Sequence, residues 1–140
     1  MKIDQQYLKD LLIAFEDTEG SDTSENDLLK AGIDTKSPEF KFHMRLLGDK
    51  EFISRLNGEP GWEFYRPVNV GSFTMHVESS LRLTAKGHDF ISDLRQKEVW
   101  NTVKNNFSDA SLSTLSDVVK ELAKGYAKQK IKRLTGFNPE

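Results

Sequence analysis

The chain has 140 residues, 36% of them hydrophobic and 30% charged, with a formal charge of -2 and no cysteine. That is enough apolar material for one domain-sized core, while the near balance of charge argues against a general nucleic-acid coat. Disulfides, thiol nucleophiles and thiolate zinc sites are excluded. No apolar run approaches the roughly 18 residues of a bilayer span, and Met1 to Gln6 lacks the apolar core of a secretory signal, so the expectation is a cytosolic protein with no membrane partner.

The first helix is predicted from Asp4 to Phe15, because Leu8, Leu11, Leu12 and Phe15 repeat on one helical face and Asp4 can cap the start. Glu16 to Thr23 is polar, contains Gly20, and reads as a loop. Ser24-Glu25-Asn26-Asp27 has the form of a capping box; it opens a short helix with Leu28 and Leu29 that Gly32 stops. Ser37-Pro38-Glu39 starts a third helix, with Ser37 as cap, proline in the first turn and an acid at the positive end of the dipole. Its periodicity puts Phe40, His43, Met44 and Leu47 on one face and leaves Lys41, Phe42 and Arg45 pointing away.

Phe52 to Leu56 reads as a strand, Asn57-Gly58-Glu59-Pro60-Gly61 as a turn, and Trp62 to Tyr65 as a return to β-like residues. Phe73 to Val77 and Ser80 to Leu83 supply more strand. Thr84 can cap a helix that buries Phe90, Ile91 and Leu94; a further helical segment carries Val99, Trp100, Val103 and Phe107, with Trp100 expected in the core. The last helix is predicted from about Ser113 to Leu134. Leu115, Val118, Val119, Leu122 and Tyr126 form its apolar face, Lys120, Lys124, Lys128 and Lys132 line another, and Gly136 and Pro139 end it.

Helix, β-ribbon, then a strand running into Leu83-Thr84-Ala85-Lys86-Gly87 is the order of a winged helix-turn-helix. The expected fold is therefore α+β, a winged helix-turn-helix over residues 1–95 with a helical C-terminal extension, residues 96–140, packed on it or mediating dimerisation. The sequence resembles a family of small winged-helix proteins of bacteria and their phages catalogued as a domain of unknown function. The likeness rests on Phe42-His43-Met44-Arg45-Leu46-Leu47, Phe52-Ile53, Leu83-Thr84-Ala85-Lys86-Gly87-His88-Asp89-Phe90, Val99-Trp100-Asn101-Thr102-Val103 and Leu122-Ala123-Lys124. It implies the fold and an origin near mobile or phage DNA, but no activity. One departure is Glu51, which stands where the family usually has glycine, so a left-handed helix end there must be made by a residue that disfavours it.

For function, the third helix is the recognition-helix candidate. Lys36, Ser37, Lys41, Phe42 and Arg45 can face base edges and phosphates of double-stranded DNA, with Arg55 and Arg66 added from the wing. Glu39 and Asp49 on the same helix weaken that case and leave a solvated or protein-binding face as the other reading. Trp62, Phe64, Tyr65 and Phe73 crowd the wing, either as one face of a half-buried sheet or as a patch for a protein partner, and Tyr126 joins the candidate protein interface. The lysines of the last helix suit an ordinary solvated face, and its apolar face could pair with a second copy.

Charge is uneven along the chain. Residues 1–34 carry nine acids and three bases, and residues 101–140 carry seven bases and four acids. This suits a DNA-facing rear, two protomers meeting head to tail, or the scatter of any surface. His43, His76 and His88 lack metal-ligand spacing, Asp89 and Asp93 read as solvated carboxylates, and no phosphate loop or nucleophile elbow occurs, so no metal, cofactor or catalysis is expected. The resulting expectation is a non-catalytic, dimeric DNA-binding regulator or accessory factor of phage or mobile-element origin. The alternative is a protein-interaction adaptor or inhibitor on the same scaffold, in phage defence or counter-defence.

Overall fold

The computed structural model describes residues 1–138. Three helices come first: α1 (Gln5–Glu16), α2 (Glu25–Lys30) and α3 (Pro38–Asp49). Their starts are made by local chemistry. The Asp4 carboxylate accepts from the Tyr7 amide, Ser24 and Asp27 form a reciprocal capping box, and the Ser37 hydroxyl accepts from the Phe40 amide. Four strands follow, β1 (Ile53–Arg55), β2 (Tyr65–Val70), β3 (Phe73–Glu78) and β4 (Leu81–Leu83), and then α4 (Ala85–Leu94), α5 (Lys97–Asn106) and α6 (Leu112–Thr135). The class is α+β, with small antiparallel sheets among helices.

β1 pairs with β4, Ile53 opposite Leu83, while β2 and β3 form a separate hairpin with Tyr65 opposite Glu78 and Val70 opposite Phe73. A further tie comes from Thr23, between α1 and α2, which exchanges both backbone hydrogen bonds with Leu81 at 2.7 and 2.9 Å. The loop before α2 is thereby sewn to β4. The predicted return to strand at Trp62 instead starts at Tyr65, and the hairpin tip is Gly71-Ser72, with Gly71 at φ 62°.

α3 ends in a Schellman turn whose left-handed position is Glu51, at φ 59°. The Glu51 amide bonds to the Gly48 carbonyl and the Phe52 amide to that of Leu47, so the expected strained helix end is present. The Thr84 hydroxyl donates to the Glu51 carbonyl at 2.6 Å and also accepts from the Gly87 amide, joining this turn to the start of α4. Gly87 is required there. A β-carbon on it would lie 2.0 Å from the Phe52 carbonyl oxygen, because α4 runs directly against the backbone entering β1.

A single core joins all of this: Leu8, Leu11 and Leu12 of α1, Met44 and Leu47 of α3, Ile91 and Leu94 of α4, Val99 and Val103 of α5, and Leu115 and Val119 of α6. It runs without a break across the 95/96 boundary, so α5 and the first half of α6 share the core of the preceding elements. Trp100, expected in the core, is half-buried at its edge, with the Lys9 ammonium 4.4 Å from its ring centroid. Beyond Tyr126, every described residue of α6 is exposed. Gly136, left-handed at φ 76°, closes the helix; Pro139, the other expected stop, lies outside the described residues. Among the described residues no helix is long and apolar enough to cross a membrane.

Candidate nucleic-acid interface

α3 buries Phe40, His43, Met44 and Leu47, so the outward face falls to Lys41, Phe42 and Arg45, as its periodicity predicts. Lys41 and Arg45 are exposed and one turn apart, and Lys36 is exposed just ahead of the helix. Phe42 is half-buried, its ring edge-on to that of His43 at 5.2 Å. His43 is a fully used core histidine. Its Nδ1–H donates to the Glu39 carbonyl at 2.7 Å, and its Nε2 accepts from the Asp4 amide at 3.0 Å, pinning the chain ahead of α1 to α3.

The other candidates divide. The Ser37 hydroxyl is committed to its own chain, accepting from Phe40 and donating to the Asp34 carbonyl at 3.0 Å, so it caps the helix rather than offering a free donor. Arg55 is half-buried, with its guanidinium packed on Gly61 and one terminal nitrogen buried without a hydrogen-bond partner. This corrects its reading as a wing residue free to reach phosphate. Arg66 is exposed on β2. Exposed acids stand among these bases at Asp34, Glu39 and Asp49.

The aromatic residues also separate. Phe64, read as part of an exposed interface, is only 5% exposed and stacks on Phe40 at 6.5 Å between centroids, so it belongs to the core. Trp62 is half-buried along α3, its β-carbon 3.3 Å from where a β-carbon on Gly48 would be, and the Arg45 guanidinium lies 5.6 Å from its ring centroid. Tyr65 is exposed, with Glu25 beside it pushing its phenol above the ordinary range. Tyr126 is half-buried, its hydroxyl 3.2 Å from that of Thr102.

Sequence reasoning placed Phe73 in the aromatic group of the wing but missed the exposed apolar face it shares with Val70, Met75 and Val77. The register of β2 and β3 puts Arg66, Val68, Val70, Phe73, Met75 and Val77 on one face of the hairpin, and Tyr65, Pro67, Asn69, Thr74, His76 and Glu78 on the other. On the first face Phe73 is 74% and Met75 54% exposed. The alternation of Phe73, Met75 and Val77 with Thr74, His76 and Glu78 was the available signal.

A broad groove between α4 and α6 is lined by both signs of charge, including Asp89, Asp93, Lys120 and Lys124. Burial, helped by Asp89, pushes the Asp93 carboxyl above the ordinary range. Mixed lining of this kind selects no single ligand charge. Among the described residues, no group of three or more histidine, aspartate or glutamate side chains is placed to hold a metal ion.

No curated protein and no solved structure matches the chain. A family model described as "Hypothetical protein (DUF2513)" matches residues 2–113, from before α1 to the start of α6. The chain therefore belongs to the DUF2513 family, a domain of unknown function.

Proposed function

We propose that this chain is a winged helix-turn-helix protein that binds double-stranded DNA through α3, acting as a regulator or accessory factor rather than as a catalyst. The winged-helix reading rests on the order α1, Thr23 bridge, α2, α3, β1, hairpin, β4, in which the short pairing of Thr23 with Leu81 takes the place of the first strand of such domains. The observation that carries the DNA reading is the outward face of α3. On it Lys41 and Arg45 stay exposed one turn apart, Arg45 beside the Trp62 ring, with Lys36 at its N-terminal end. Arginine at such a position can pair bidentately with guanine, and lysine can neutralise phosphate. The test is duplex binding by fluorescence anisotropy. Arg45→Ala and Lys41→Ala should each weaken it, whereas Arg55→Ala, whose side chain is already packed, should act through stability alone.

A second reading is favoured by the hairpin. Its uncovered apolar face, Val70, Phe73, Met75 and Val77, has the composition of a protein-binding surface. Under that reading the protein is an adaptor or inhibitor. Phe73→Ser with Met75→Ser would then abolish partner binding at unchanged stability, and duplex binding would be absent.

A further inference from the structure

We propose that the projecting end of α6 seats on α1 of a second copy, so that this chain forms a dimer held by its own opposite charges. From Ala127 to Asn138 every residue is exposed; Ala127, Gln129, Lys130 and Arg133 edge the groove against α4, while Ile131 and Leu134 are not part of its lining. These last turns of α6 continue a helix whose first half is packed on the core, so what a partner would add is cover for their apolar side chains. The segment is strongly one-signed. Lys124, Lys128, Lys130, Lys132 and Arg133 fall between Glu121 and Asn138 with no acid among them. It also carries an apolar stripe: Ala127, Ile131 and Leu134 share one helical face, with Leu134 71% exposed, and Lys124 and Lys128 flank it on one side and Lys130 on the other.

The matching surface lies on α1. Asp10, Ile13, Ala14 and Asp17 share one face, the two acids exposed and the two apolar residues packed in part on their own core with the remainder open between them, and Glu19 follows in the loop. Among the described residues, Asp10, Asp17 and Glu19 form no ion pair, and the run from Glu16 to Asp27 has six acids and no base. Lengths agree as well. The free part of α6 within the helix, residues 127–135, spans about 14 Å, and α1 about 18 Å, at the helical rise of about 1.5 Å per residue. An apolar stripe edged with lysine thus meets an apolar stripe edged with aspartate. Pairing of the two α6 ends with each other would bring like charges together, and a nucleic-acid phosphate would leave Ile131 and Leu134 in water. This arrangement does not depend on whether α3 reads DNA, and its test uses no DNA.

The experiment is light scattering on a sizing column with the full chain. At about 50 mM salt the wild type should run at twice its 16.0 kDa mass, shifting toward monomer at about 500 mM as the charges are screened. Two charge-reversed variants should each be monomeric at low salt: Lys128→Glu/Lys130→Glu/Lys132→Glu/Arg133→Glu in the arm, and Asp10→Lys/Asp17→Lys/Glu19→Lys on the body. Mixed in equal amounts they should regain the dimer, because each altered surface now complements the other. Circular dichroism checks that both keep their fold. As a measurement on unaltered protein, carbodiimide cross-linking of wild type with isotope-labelled wild type should join α6 lysines to α1 carboxylates between copies. A monomeric wild type at low salt, a variant that stays dimeric, a mixture that stays monomeric, or no such inter-copy cross-link would overturn the proposal.

Discussion

The guanidinium of Arg45 lies over the indole of Trp62, 5.6 Å from the ring centroid, so the loop between β1 and β2 steers the arginine that α3 presents to solvent. An exposed cation–π contact of this kind contributes about 0.5–1 kcal/mol. A double-mutant cycle of Arg45→Ala and Trp62→Ala, read by urea unfolding, should give a coupling energy of that size. Zero coupling would mean that the two side chains do not hold each other in solution.

Gly87→Ala should be severely destabilising, by about 3 kcal/mol or more, since the added carbon would collide with the Phe52 carbonyl and neither backbone can retreat without parting α4 from β1. Denaturant midpoints measure this. Gly125→Ala is the control. A β-carbon there meets nothing within 4 Å, so this exposed helical site should gain about 1 kcal/mol from the better helix former.

Glu51→Gly should stabilise. The position is left-handed at φ 59°, a conformation that costs a side-chain-bearing residue about 1 kcal/mol and glycine almost nothing. The melting temperature should rise by about 3 °C. No rise would show that the Glu51 side chain offsets its backbone strain.

Two carboxylates should have opposite effects on the pH dependence of stability. Asp93 is pushed up by burial and by Asp89, so the folded state holds its proton more tightly than the unfolded one, whose ordinary value is 3.8. Its favourable contribution is present below that value and is lost as pH rises through the folded-state pKa. Asp93→Asn should therefore raise the melting temperature at pH 7, with the gain vanishing in acid. Asp27 is held below 3.8 by the Ser24 amide and hydroxyl, so its contribution is present above that value and lost as pH falls through its depressed pKa. Asp27→Asn should lower the melting temperature at pH 7, with the loss shrinking in acid. Melting curves across pH check both signs.

What could be read from the sequence was what local chemistry determines. The caps at Asp4, Ser24, Ser37 and Thr84 form because a short polar side chain meets amides two or three residues on, a relation contained in the sequence itself. Glu51 was legible as a strained helix end only through the family resemblance, which puts glycine at that position. Pairing between distant segments was not. Nothing local marks Thr23 as the partner of Leu81, and Pro67 hides β2 by breaking a strand-like run that tolerates it only because a two-stranded ribbon has free edges. The aromatic cluster misled because Trp62, Phe64 and Tyr65 look alike in composition, yet contact with Phe40 buries Phe64 and leaves Tyr65 in water. Of the residues proposed to face DNA, the exposure of Lys41 and Arg45 followed from periodicity, whereas the packing of Arg55 on Gly61 depends on the path of the loop after β1.

The most direct test of the DNA reading is the salt dependence of duplex binding by wild type and by Lys41→Ala/Arg45→Ala. With Lys36, Lys41 and Arg66 exposed to meet phosphate and Arg45 to meet a base edge, log K should fall with log salt at a slope of about -3 per chain, and the double variant should lose about one unit of slope and at least about tenfold in affinity. No duplex binding by the wild type at about 50 mM salt, or binding that the double substitution leaves unchanged, would contradict a DNA-reading α3.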